Sequence, residues 1–409
     1  MTVNTHEDVR MAIASLLRIG EPGDGLLKQL VDGIGPVAAL AIITAVGRGE
    51  TTAHDAVQGL ADTGTEAAEH SQLPAAIDRW AVRAGEADAV GSDLDKIARI
   101  GGRLVIPDDD EWPRMLDDLG PAAPLGLWVR GAASLGAALT RSVAVVGARA
   151  ASNYGTKCAS DLAWDLAARG ITVVSGGAFG IDAAAHRAAI AREPPTVAFM
   201  AGGVDRFYPA ANADLFEQIL ATGAIVSETA PGMTPMRHRF LLRNRLIAAS
   251  SQVSVVVEAG WRSGALNTAR HALELSRQVA AFPGSVYSAS STGAHKLLRE
   301  HEAELVTCSD DVIALMVDDT PALFDTAVLS AAVGSGERPP SFDPREGLDE
   351  REKICLNALT VSKPLDVGTI ASRAGLTIAD ALNSLTALDL TGLAARRDTG
   401  WVKLRRPRS

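Results

Sequence analysis

The chain has 409 residues, of which 47% are hydrophobic and 22% charged; that composition excludes a mainly disordered protein, and the length suits two or three domains. The net charge of −10 is uneven: residues 1–140 carry 11 Lys/Arg against 21 Asp/Glu, residues 141–316 carry 16 against 15, residues 317–350 carry 2 against 8, and residues 351–409 carry 10 against 5. An acidic total therefore does not exclude an anionic partner, because local clustering decides binding. Three well-separated cysteines, Cys158, Cys308 and Cys355, have no CxxC spacing and argue against a cysteine zinc site or a disulfide scaffold. The longest apolar run, Pro36 to Gly47, is short of the roughly 20 residues a membrane span needs. The polar, acidic start (His6, Glu7, Asp8) lacks the character of a signal peptide. A cytoplasmic protein is expected.

Residues 1–90 are rich in Ala and Leu at helical spacing, with Leu16, Leu17, Leu26, Leu27, Leu30 and Val31 on apolar stripes, which predicts a helical domain. Gly33-Ile34-Gly35-Pro36 falls between two such helices. In acidic surroundings it reads as an ordinary helix–helix turn rather than a backbone clamp on DNA. Strands are predicted at 103–106 and 125–129. The run Asp108-Asp109-Asp110-Glu111 between them reads as a solvated, helix-capping turn, since no second ligand group accompanies it. Residues 141–316 alternate strand and helix. Short Val/Ile-rich strands are predicted at 142–146, 171–175, 197–201, 224–227, 253–258, 279–282 and 304–307, with helices such as 154–169 and 264–277. Near-continuous apolar strands between helices predict an α/β fold, a parallel sheet covered on both faces. Pro321, Pro339, Pro340 and Pro344 with excess acid predict a solvated linker over 317–350. Residues 351–409 read as helices at 352–359, 366–373 and 378–388. Strands at 393–397 and 401–405 follow, around the turn signal Asp398-Thr399-Gly400. That is the element order of a winged helix.

In an open parallel sheet, ligands bind beyond the carboxyl ends of the strands. Four predicted strands end in small or polar turns: Gly147-Ala148-Arg149, Ser175-Gly176-Gly177, Gly202-Gly203, and Glu258-Ala259-Gly260 running on to Ser263-Gly264. Such turns let backbone N–H groups approach a ligand, and each following helix N-terminus favours anions. With Arg149 they predict a phosphate-binding rim. GxGxxG is absent after the first of these strands, and GxxxxGK[ST], HExxH and GxSxG do not occur. His186, His238, His271 and His295 are scattered, and His186 reads as a packing or surface histidine. No defined catalytic site, metal site or enzyme activity is expected. The most informative segment is Met236-Arg237-His238-Arg239-Phe240-Leu241-Leu242-Arg243-Asn244-Arg245, with four arginines, one aromatic and no acid. Arg237, Arg239, Arg243 and Arg245 are expected to meet phosphates, and Phe240 to stack on a base, as single strands are held without sequence readout. The alternative, a core Phe240 with arginines in surface ion pairs, lacks local acids to supply the partners.

Val143-Ala144-Val145-Val146-Gly147-Ala148-Arg149, followed by Ser175-Gly176-Gly177-Ala178-Phe179-Gly180-Ile181-Asp182-Ala183-Ala184-Ala185-His186, resembles the DprA/Smf family of DNA processing proteins. Gly202-Gly203-Val204-Asp205 with Tyr208-Pro209 agrees, as do Arg243-Asn244-Arg245-Leu246-Ile247-Ala248, Val257-Glu258-Ala259 with Ser263-Gly264-Ala265-Leu266, and Phe282-Pro283-Gly284-Ser285. The resemblance implies an extended Rossmann-like fold over 101–316, with an N-terminal helical domain of SAM or helix-hairpin-helix kind and a C-terminal winged helix. It implies a protein without cofactor that binds single-stranded DNA, forms a homodimer and loads RecA recombinase in DNA uptake and recombination. Carried over residue by residue, the DNA contacts fall on Arg149, Arg237, Phe240, Arg243 and Arg245, with phosphate contacts from Gly176, Gly177 and Gly202. Asn244, Ser263 and Gly264 join the same expected site. One departure is plain: Phe179 stands where the family pattern has arginine. The change removes a charge-assisted contact of about 1.5–3 kcal/mol or adds a stacking surface.

Two other readings compete. A nucleotide-processing enzyme on this fold would use a carboxylate such as Glu258, but the following Ala259-Gly260-Trp261-Arg262-Ser263-Gly264 lacks the Gly-Gly-x-Gly-Thr loop of such enzymes. A sequence-specific regulator would read bases with helix 377–388, which carries Asp380 and Asn383 but no Lys or Arg. A protein contact or modest duplex binding is therefore favoured there. Arg396, Arg397, Lys403, Arg405, Arg406 and Arg408 read equally as phosphate contacts or a solvated tail.

Overall fold

The computed structural model describes residues 5–62, 64–192, 195–316, 350–360, 364–390, 393–397 and 400–404. They form two compact units, one within Met1–Asp319 and one within Thr320–Ser409. The predicted linker lies outside the described residues, Glu350 apart.

The first unit is built on nine strands: β1 (Gly102–Val105), β2 (Leu127–Arg130), β3 (Ser142–Val146), β4 (Thr172–Ser175), β5 (Thr196–Phe199), β6 (Ala224–Ser227), β7 (Val253–Val256), β8 (Gln278–Ala281) and β9 (Glu304–Leu305). Their order is β1-β2-β6-β5-β4-β3-β7-β8-β9. Strands β3 to β9 pair in parallel. The expected parallel sheet thus gains an edge: β1 pairs β2, and β2 pairs β6, both antiparallel.

Period-two alternation explains why these strands read as unbroken apolar runs. Val143, Val145, Val173, Val253 and Val255 face the helices Asn153–Ala168 and Ile181–Ile190. Their neighbours Ala144, Val146, Val174 and Val256 pack on the opposite face with Leu246, Ile247, Ala265 and Ala269, which belong to the helices Arg237–Ala249 and Gly264–Glu274. Both faces are dry, so neither set is polar. The N-terminal helices share a third core with the sheet edge: Leu16, Leu30, Ile43 and Trp80 join Leu104, Trp128, Phe216 and Ile225. The Gly33–Pro36 segment is a turn, with Gly35 at φ 82° between the helices Gly25–Ile34 and Pro36–Gly47.

The acidic run is more engaged than a solvated turn. Asp109 takes a charged hydrogen bond from Arg10 at 2.7 Å and one from the Ile106 N–H at 2.8 Å. Glu111 pairs with Arg103 and accepts from the Leu135 N–H at 2.8 Å. These carboxylates fasten the first helix and the sheet edge. Among the described residues no His/Cys/Asp/Glu group could hold a metal, and no single helix is long and apolar enough to cross a membrane.

The second unit holds helices Glu350–Ala358, Val367–Ala374 and Ile378–Leu390, then the antiparallel hairpin β10 (Ala394–Arg397) and β11 (Gly400–Lys403). Leu356, Ile370, Leu385, Leu388 and Trp401 form its core. Thr377 caps the third helix, its Oγ1 accepting from the Asp380 N–H at 3.1 Å, and the Asp380 carboxylate accepts from Arg351 at 3.0 Å. Asp398, Thr399 and the basic residues Arg405, Arg406 and Arg408 lie outside the described residues.

Candidate nucleic-acid interface

From β3 the chain steps outward through β4, β5 and β6, then returns to place β7 on the other side of β3. The order reverses there, and the crevice beyond the carboxyl ends of β3 and β7 is where such sheets bind ligands. A cleft of about 290 Å³ opens at that point. Its wall includes Gly147 and Arg149 after β3, Ala178 and Asp182 after β4, Phe240, Arg243 and Asn244 from the basic helix, and Ser263 and Gly264 after β7. A recess of about 50 Å³ shares Arg149, Ala178 and Phe240 and adds Gly176, Phe179, Tyr208 and Pro209.

The mouth combines one free cation with aromatic rings. Arg149 is exposed and has no carboxylate partner among the described residues. Its guanidinium stands 5.1 Å from the Phe240 ring centroid, an arrangement favoured by the ring quadrupole. Tyr208 lies on Phe240 at 5.6 Å, tilted by 54°. Phe179 is 46% exposed beside them. At this position the structure therefore has a partly exposed aromatic side chain at the rim.

The floor is a buried charge. Arg243 sits beneath the glycine turn, so close that a Cβ on Gly176 would overlap its guanidinium. Its Nη1 donates to the Phe199 carbonyl, while its Nε has no hydrogen-bond partner. Burial pushes the guanidinium down to about 10; the charge of Asp182 opposes the shift and that of Arg149 adds to it. Asp182 is raised by burial, against Arg243 and the N–H groups of Ala178 and Gly176, which donate to it at 3.3 and 3.2 Å. Asp182 thus shapes the turn after β4. Arg243 is therefore a desolvated cation at the cleft wall whose charge is only partly answered by neighbouring groups. Asn244 ties the basic helix to the next one, donating to the Gly264 carbonyl at 3.3 Å and to Asn267 at 3.1 Å. Ser263 caps that helix through the Ala265 N–H.

Other predicted site residues stand elsewhere. Arg245 is a correction: it is buried, with Nη2 2.7 Å from Glu228 and Nε donating to the Ala122 carbonyl at 2.8 Å. Arg239 is another, buried in a bidentate pair with Glu21, both bonds 3.0 Å. Neither faces the cleft. The acids that satisfy them are distant in sequence, which the acid-free local segment concealed. Arg237 is exposed at the first turn of the helix, outside the cleft wall. Gly177 and Gly202 serve packing: Gly177 (φ 65°) lies against Phe216, and Gly202 against Pro235 and the Met233 carbonyl.

Asp182 and Tyr208 lie within the motifs that follow the strands, and the small residues after each strand are the only sequence signal of their place at the cleft. His186 is a buried packing residue, its Nδ1 2.8 Å from Thr196 Oγ1. Burial, then Arg243, holds it down at about 3, so it stays neutral. Glu258 does not line the cleft. It accepts from the Ser152 N–H at 2.9 Å, Ser152 Oγ at 2.6 Å and Ser290 Oγ at 3.1 Å, at the N-terminus of the Asn153–Ala168 helix.

Glu21 joins the N-terminal helices to the basic helix through Arg239, Arg83 and His238. Partial burial alone would raise its carboxyl; Arg239, Arg83 and His238 outweigh it and bring the value from 4.5 to about 2. A lowered value means stability present above 4.5 and lost as pH falls toward 2. In acid titrations followed by circular dichroism, wild type is expected to exceed Glu21→Gln in stability near neutral pH, and the gap to close across that interval. A gap that stays constant down to pH 2 would refute the clamp.

The sheet order and its covering helices define a protein of the Rossmann-like α/β class, with a basic and aromatic cleft at the carboxyl edge of the sheet. Residues 103–317 match the family described as DNA recombination-mediator protein A. The chain is 42% identical over 404 residues to DprA of Mycobacterium tuberculosis, covering 96% of this chain and 94% of that one. It is 35% identical over 305 residues to Smf of Escherichia coli, covering 74% and 78% respectively. The X-ray structure of DNA processing protein A from Streptococcus pneumoniae superposes with TM-score 0.61 at 30% identity, over 78% of this chain and 100% of that one. The chain belongs to the DprA/Smf family.

Proposed function

We propose that the cleft holds single-stranded DNA by its backbone and one or more stacked bases, and that the protein hands the strand to RecA recombinase, acting as a homodimer in the cytoplasm. The observation that carries the strand-binding step is the unpaired Arg149 over Phe240 at the mouth of a cleft floored by Arg243. Phosphates meet the arginines, and bases find ring faces at Phe240, Tyr208 and Phe179. No base-edge reader is needed, so sequence preference is weak. Transfer to RecA and self-association are supported by family membership.

The test is binding of a fluorescent single strand and its duplex at two salt concentrations. The single strand is expected to bind more tightly, with log K falling against log salt at a slope of about −1.4 for two phosphate contacts. No strand preference, or no salt dependence, would overturn the reading. RecA filament growth on a coated strand tests the second step.

We propose no catalysis for this site. The carboxylate a nucleotide-cleaving enzyme would need, Glu258, is tied to Ser152 and Ser290 and does not line the cleft that Arg149 does. Base released from nucleotides incubated with the protein would overturn this.

A further inference from the structure

The carboxyl edge of the sheet continues past the cleft over β7 and β8, and the loops that follow these strands carry exposed aromatic rings. Trp261, 59% exposed, stands two residues before Ser263 of the cleft wall. Tyr287, 97% exposed, follows β8. The loop after β7 is tied to the start of the helix Thr292–Arg299, which follows the Tyr287 loop, because the Gly293 N–H donates to the Ala259 carbonyl at 2.7 Å. Cations accompany the rings. Lys296 Nζ stands 5.7 Å from the Trp261 centroid, and also 3.5 Å from Glu300. Arg262 is exposed, with no carboxylate partner among the described residues.

A single exposed ring needs no explanation. Here two rings and one cation, Arg262, lie on loops beyond the wall of a cleft already lined by Arg149 and Phe240, and a second cation, Lys296, reaches Trp261 from the helix Thr292–Arg299. We propose that this edge is a second stacking segment, over which a strand held in the cleft continues, its bases on Trp261 and Tyr287 and its phosphates toward Arg262 and Lys296. The inference rests on the reading of the cleft as a single-strand site. The cations beside Trp261 favour a polyanion over an apolar protein surface, and ring faces accept any base.

The experiment uses the full chain and oligothymidylates of about 4 and about 16 nucleotides, with dissociation constants measured by fluorescence anisotropy. Trp261→Ala/Tyr287→Ala is expected to weaken the long strand about fivefold or more and leave the short strand unchanged. Trp261→Phe/Tyr287→Phe is expected to restore the long-strand affinity. Both rings are exposed, so melting temperatures should match wild type. Unchanged long-strand binding in the alanine variant overturns the second segment while leaving the cleft intact. Equal loss on both lengths also overturns it, because Trp261 and Tyr287 would then belong to the first site. Failure of wild type to bind either strand overturns the cleft reading itself, and this inference with it.

Discussion

Arg149→Ala/Phe240→Ala is expected to remove most single-strand binding. Losing the stack costs about 1–3 kcal/mol, and losing a charge-assisted contact to phosphate costs about 1.5–3 kcal/mol. Together they amount to about 2.5–6 kcal/mol, or roughly two to four orders of magnitude in affinity. The residues touch, with the guanidinium 5.1 Å from the ring centroid, so the single variants will not add up to the double. Their coupling is expected to be about 0.5–3 kcal/mol. The measurement is a double-mutant cycle by anisotropy, with a thermal melt of each variant. Arg149 is exposed and Phe240 is only partly buried at the cleft wall, so the double variant should stay folded. A folded double variant that binds the strand as wild type does would remove both residues from the site.

Arg245→Met tests the opposite assignment. Arg245 and Glu228 are both buried, 2.7 Å apart, and Glu228 also accepts from the Gly23 N–H at 3.2 Å. Removing the cation leaves a carboxylate in a dry site, which costs about 3–5 kcal/mol. The expected result is a large fall in the urea midpoint with strand affinity per folded molecule little changed. Arg245→Met/Glu228→Leu should recover part of the stability, since no charge is then stranded. If Arg245→Met keeps its midpoint but loses strand affinity, the arginine is a phosphate ligand after all and the buried pair is not structural.

These two predictions separate arginines that look identical in the sequence. The helix Arg237–Ala249 buries Arg239, Arg243 and Arg245 while Leu241 is 50% exposed, the reverse of what residue type suggests. A charged side chain can be enclosed when its donors are satisfied. Glu21 and Glu228 do this for two of the three. Both acids lie outside the segment, one more than 200 residues upstream, and no local pattern marks either as the partner. Arg243 has only the Phe199 carbonyl, with Asp182 near enough to act through its charge. Its pairing is thus less complete than that of Arg239 or Arg245.

The sequence alone determined much of this protein. Alternating short apolar strands and helices specify a covered parallel sheet, because a strand dry on both faces has no polar alternation to show. Glycine turns after four strands mark the carboxyl edge of the sheet, because only small residues fit where backbone and side chains approach so closely. The order of the motifs identifies the family. The tertiary structure decided which arginine faces solvent, which acid answers it, and which glycine lies at the cleft rather than under Phe216 or Pro235. It also decided that β1 and β2 close the sheet as an antiparallel edge and that the N-terminal helices share its core. Each of these outcomes is a pairing between residues far apart in the chain. Its free energy depends on burial and distance, quantities that exist only once the chain has folded.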